Sequence, residues 1–134
     1  MERGFRRSFD SLHEIFAFLD GFFAREHIDS KHRYGMYLAA EEFFTNMVKY
    51  NSGKSPGEIR IEIARTDDQL RLALTDFDVE PFDVTKAKPV PKDTPLEARR
   101  RGGLGLQIVR EMMDSVTYDY RDRCSRVTVV KNLE

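Results

Sequence analysis

Apolar and polar positions alternate twice in the middle of the chain. Ile59, Ile61 and Ile63 are interleaved with Arg60 and Glu62, and Leu70, Leu72 and Leu74 with Arg71 and Ala73. A period of two puts one set of side chains on each face of a strand, so these runs, joined at Asp67-Asp68, predict a hairpin of two half-buried strands. Ser11 and Glu14 stand at capping-box spacing ahead of the apolar run Ile15 to Phe23, which predicts a first helix. Asp29 or Ser30 caps a longer helix from about Lys31 to Tyr50, ended by the turn-forming NSGKSPG. Leu104, Ile108 and Met112, with Leu106, Val109 and Met113 beside them, predict a third helix. Val116 to Tyr120 and Val127 to Val130 read as two closing strands, and Phe5 to Phe9 as an edge strand. From Phe77 to Arg101 the periodicity stops and four of the five prolines gather, the pattern of a functional lid or a disordered loop. The order is helices, hairpin, lid, helix, hairpin. It predicts a two-layer α+β sandwich, with a mixed, mostly antiparallel sheet covered by helices on one face.

Composition narrows the picture without changing it. A chain of 134 residues, 40% hydrophobic and 34% charged, is sized for one domain, 1–134, with a packed core and a charged surface. With 22 basic and 23 acidic residues the net charge is -1, so no global field draws it to nucleic acid or anionic membrane. Cys124 is the sole cysteine, which excludes an internal disulfide. The N-terminus MERGFRRSFDSLHEIF carries charges where a signal peptide needs an apolar stretch, and no window reaches the about 18 apolar residues of a membrane span. A cytoplasmic location is the expectation.

Three segments could carry chemistry. On the second helix Met36, Ala40, Phe43, Phe44 and Met47 form an apolar stripe, and Glu42 and Asn46, four apart, lie one turn above each other on its flank. A carboxylate and an amide there suit Mg²⁺ with phosphate, or a general base, although an isolated pair of this kind is more often a solvated polar face. Asp76 keeps the parity of Leu70, Leu72 and Leu74, so its carboxylate points inward at the end of the sheet. A backbone N–H, an arginine or the amino group of a buried ligand would satisfy it. In RRRGGLGLQIVREMMD, Gly102, Gly103 and Gly105, with Leu104 between, precede a helix whose positive end and unhindered N–H groups favour an anion. The alternative is an ordinary loop with a solvated basic run, Arg99 to Arg101. Gly53-Lys54-Ser55 ends like a phosphate-binding loop but follows a helix and has Val48 where the first glycine belongs. His13, His27 and His32 lack metal-ligand spacing.

Taken in order, the three segments resemble the N box and two glycine boxes of the GHKL ATPase superfamily, which has a Bergerat-type fold. They are most like those of its anti-sigma factor kinases. Glu42-Phe43-Phe44-Thr45-Asn46 resembles E-x-x-T-N, Asp76 to Asp83, one residue longer, resembles D-x-G-x-P-F-D, and Arg101 to Leu106 resembles R-G-G-L-G-L. The resemblance implies Asn46 as the Mg²⁺ ligand, Glu42 as the catalytic base, and Asp76 as the partner of the adenine amino group. It also implies Gly102, Gly103, Leu104 and Gly105 as the phosphate turn, Arg101 near the terminal phosphate, and a lid over about 84–102. It implies ATP and Mg²⁺ as cofactors, and protein-serine kinase activity toward an anti-anti-sigma antagonist by a protein that also binds a sigma factor. Whether it forms a homodimer is left open. Asp78 replaces the glycine of the first box and Tyr50 a frequent histidine. Asp78 motivates the alternative of a partner-binding module without turnover. The 41 residues before Glu42 leave no room for a histidine kinase's phosphoacceptor hairpin beside the first helix, which disfavours that third class.

Overall fold

The computed structural model describes residues 1–51, 57–81, 83, 85 and 105–133. Five strands make one sheet: β1 Glu2–Arg6, β2 Glu58–Thr66, β3 Gln69–Asp76, β4 Ser115–Arg121 and β5 Cys124–Asn132. Their order across the sheet is β1-β2-β3-β5-β4, and every pairing is antiparallel, so the mostly antiparallel expectation holds with no parallel pair among the described residues. The helices are α1 Leu12–Arg25, α2 Ser30–Asn51 and α3 Gly105–Met112.

Strand alternation builds the core. Ile59, Ile61 and Ile63 of β2, Leu70, Leu72 and Leu74 of β3, and Val127 and Val129 of β5 all face the helices and are buried with Phe18, Phe22, Phe43, Phe44 and Val109 in one cluster. Every member is thereby taken out of water by a partner from another element, at about 1.5–3 kcal/mol for each large side chain. The opposite face carries charge. Arg126 spans it, pairing with Glu62 at 2.8 Å and donating to the Thr75 hydroxyl at 3.2 Å.

Local signals account for most boundaries. Asp29 caps α2 as expected, its Oδ1 accepting from the Lys31 N–H at 3.0 Å. α1 closes with His27 at φ 53, while the Ile28 N–H returns to the Phe23 carbonyl at 3.0 Å, so a Schellman-type ending forms on a histidine instead of a glycine. The β4–β5 hairpin turns on Asp122 and Arg123, both at positive φ, the geometry of a two-residue turn matched to strand twist.

Two expectations at the N-terminus are corrected. β1 runs over Glu2–Arg6, not Phe5 to Phe9, because Phe5 pairs opposite Ile59 and the chain then bends into a 3-10 turn at Phe9–Ser11. The Ser11 and Glu14 capping box does not form. The Ser11 hydroxyl donates back to the Arg6 carbonyl at 2.7 Å, and Ser8 caps the 3-10 turn by accepting from the Asp10 N–H at 3.2 Å. No described helix is long and apolar enough to cross a membrane.

Candidate functional site

α2 supplies the first wall. Its stripe, Met36, Ala40, Phe43, Phe44 and Met47, is fully buried, which turns the flank one step round the helix toward the start of α3. There Glu42 is only 7% exposed, and its Oε1 accepts from Asn46 Nδ2 at 3.5 Å. Burial pushes the Glu42 carboxyl above its ordinary value by disfavouring the charged form; the Asn46 amide opposes this with a smaller effect, and neighbouring Glu41 adds to the rise. Gly105, the first residue of α3, comes so close that a Cβ there would lie 2.4 Å from Glu42 Oε2. Only glycine leaves the carboxylate its place.

A cavity of about 650 Å³ opens on this flank. Phe9, Leu12 and Leu38 make its apolar side, while Glu42, Asn46 and Lys49 make its polar side, with Gly105 joining them. Lys49 was missed from the sequence. Its signal was there, since it lies seven residues after Glu42 and three after Asn46, on the same helical flank. Such an arrangement can orient a hydroxyl against a carboxylate and hold a cation on an amide oxygen, with an apolar surface alongside.

Asp76 lies at the end of β3 with its carboxylate inward and wholly buried, as strand parity requires. Its described partner is the Arg7 guanidinium, whose side chain is 3% exposed. Of the three partners open to Asp76 in the sequence, arginine is thus present. Two residues on, Asp78 has a left-handed backbone, φ 54, the region that favours glycine. Its carboxylate points outward, 77% exposed, and accepts from Arg123 Nε at 2.9 Å. The Val79 N–H donates to the Arg123 carbonyl at 2.9 Å and the Tyr120 hydroxyl to the Val79 carbonyl at 2.7 Å, so the segment after β3 is fastened to the β4–β5 hairpin. Further along, Asp83 Oδ1 accepts from the Thr85 N–H at 2.8 Å, and Arg110 of α3 donates to the Thr85 carbonyl.

Glu42, Asn46 and Gly105 are therefore brought together. Asp76 is placed on the sheet, outside the described lining of that cavity. Arg101, Gly102, Gly103 and Leu104, and most of the expected lid at 84–102, lie outside the described residues. No group of three or more His, Cys, Asp or Glu gathers at metal-binding distance among the described residues.

The site thus sits between an antiparallel sheet's covering helix and the start of a glycine-led helix, with a carboxylate–amide pair at the junction. A family model described as histidine kinase-like ATPase domain matches residues 5–131, and the chain belongs to that family. Over 102 residues it is 30% identical to the serine-protein kinase RsbW of Staphylococcus aureus, an alignment covering 72% of this chain and 64% of that protein's length. In fold it resembles the RsbU and RsbW domains of Rv1364c from Mycobacterium tuberculosis, with a TM-score of 0.71 at 15% identity, over 99% of this chain and 32% of that one. It also resembles a chain of the SiaB–SiaC complex from Pseudomonas aeruginosa, with a TM-score of 0.65 at 19% identity, over 98% of this chain and 88% of that one.

Proposed function

We propose that the chain is one cytoplasmic ATP-binding domain that acts as a protein-serine kinase in a partner switch. It binds a sigma factor and phosphorylates a serine of the anti-anti-sigma antagonist. The observation that carries this is Glu42, buried and raised in pKa, held between the Asn46 amide and Gly105 at the head of α3. The similarity to a serine-protein kinase supports the choice of acceptor.

The residues divide the work. Glu42 accepts the proton of the incoming serine hydroxyl; that oxygen bonds to the terminal phosphorus as the bond to the leaving diphosphate oxygen breaks. With Nδ2 turned to Glu42, the Asn46 amide oxygen would be free to hold Mg²⁺, which would supply neutralisation of phosphate charge. Asp76 receives the adenine amino group. Arg101 and the turn Gly102, Gly103, Leu104 and Gly105 are assigned to the phosphates on the sequence motif, since glycine N–H groups ahead of a helix favour anions. The fit rests on oxygen donors suited to Mg²⁺ on α2, and on a glycine at the point where any Cβ would meet Glu42.

A second reading, a partner-binding module without turnover, rests on Asp78 in place of the first-box glycine. The glycine-like φ and outward carboxylate of Asp78 weaken that ground, because the side chain leans on Arg123 in solvent. Incubation with the serine-bearing antagonist and labelled ATP separates the two. Phosphoserine is expected; a stoichiometric complex without phosphoserine would leave the binding module standing.

A further inference from the structure

Across the sheet's inner face one register row reads Phe5, Ile59, Asp76, Ser125, Tyr120. Arg7 keeps the parity of Phe5 one step beyond the end of β1, and its guanidinium reaches Asp76 Oδ1 from 69 residues away in sequence. Both side chains are withdrawn from water, at 3% and 0% exposure. A buried carboxylate paired to a guanidinium is held by an ionic hydrogen bond, stronger than one a neutral amino group can offer. Arg7 also sits on a short connection that leads straight to the cavity. The Ser8 N–H and the Ser11 hydroxyl both return to the Arg6 carbonyl, and Phe9 and Leu12, immediately after, form the apolar wall opposite Glu42.

We propose that Arg7 is a built-in competitor for the nucleotide base: it pairs with the buried Asp76 carboxylate and must leave it before an adenine amino group can take its place. The proposal rests on Asp76 being the base reader. Arg7 then sets affinity, because a protein whose competent form is a minor fraction binds more weakly by that fraction. It also links base recognition to the shape of the wall opposite Glu42, since only Ser8 and the 3-10 turn Phe9–Ser11 separate Arg7 from Leu12.

Calorimetric titration of the full chain with ATP and Mg²⁺, and with inorganic tripolyphosphate as a probe lacking a base, tests this. Arg7→Gln is expected to bind ATP about tenfold more tightly than wild type, with tripolyphosphate affinity unchanged, although the variant is less stable to urea. A merely structural role would lower affinity together with stability. ATP affinity equal to or below wild type in a folded Arg7→Gln overturns the proposal. Should that variant fail to fold, wild type decides: ATP is expected to speed amide exchange at Ser8 and Ser11, and unchanged or slower exchange overturns the proposal. Asp76→Asn in the same titration separates the two ideas. ATP binding undiminished by Asp76→Asn removes the base reader itself. Binding lost in Asp76→Asn but not improved in Arg7→Gln keeps the base reader and discards the competitor.

Discussion

Burial raises the pKa of Glu42 because its charged carboxylate loses hydration, and the Asn46 amide offsets only part of that loss. A carboxylate raised toward the working pH is a better proton acceptor than a solvated one, so in the proposed reaction the desolvation that costs stability would serve proton transfer. Glu42→Gln is expected to lower phosphoryl transfer by about 10²–10⁴-fold while ATP still binds, measured as phosphoserine formed per minute. In wild type the rate should climb as pH rises through the raised Glu42 pKa, and the residual rate of the variant should lack that limb. The stability effect has the opposite sense. The native state holds this proton more tightly than the unfolded chain, so no cost arises below the ordinary value of 4.5. The cost grows as pH rises from there and is complete once the folded-state pKa is passed. Urea unfolding should therefore show Glu42→Gln gaining on wild type as pH rises above the ordinary value of 4.5, and levelling off once the raised folded-state value is passed. Gly105→Ala acts on the same carboxylate from outside, placing a Cβ 2.4 Å from Oε2 and 2.9 Å from Cδ. Glu42 must swing aside, and a displaced base is expected to slow transfer about a hundredfold. Folding stability should stay within about 1 kcal/mol, since alanine is the better helix former.

α3 has eight residues, fewer than the about 12–15 at which an isolated helix becomes even marginally stable in water. Its order must come from packing, through Leu106 and Val109 buried in the common core and Met113 just beyond its end. Leu106→Ala removes the anchor nearest Gly105 and is expected to cost about 2–4 kcal/mol by urea unfolding. A loss of under about 1 kcal/mol would mean that α3 is positioned by something other than this contact. The same element shows where the sequence was legible. Periodicity located α3, the two hairpins and the inward face of Asp76, because a strand's period of two and a helix's of 3.6 are local properties. Glu42 and Asn46 were legible for that reason too. Arg7 as the partner of Asp76, and Arg123 as that of Asp78, were not, because each contact joins residues 45 or more apart and depends on the sheet being assembled. The early end of β1 belongs to the same class: Phe5 and Phe9 look alike in sequence, and pairing with Ile59 decides between them.

At the scale of the molecule, the candidate site draws on α2, the head of α3, the end of β3 and the connection before α1, so it exists only once sheet and helices have met. A ligand spanning these pieces binds the native state alone, and its affinity then appears as stability of the whole fold. At a hundredfold excess over its dissociation constant, ATP with Mg²⁺ should raise the unfolding free energy by about 2.7 kcal/mol. Part of that gain depends on the metal and should vanish on chelation. Asn46→Ala isolates that part. Its amide meets Glu42 only at 3.5 Å, the outer limit of a hydrogen bond, so the ligand-free variant should unfold within about 1 kcal/mol of wild type. With ATP present, its stabilisation should be the same with Mg²⁺ as with chelator, and equal to that of chelated wild type. A Mg²⁺-dependent increment that survives in Asn46→Ala would move the metal ligand elsewhere in the chain, while leaving the base and the adenine reader to be judged on their own variants.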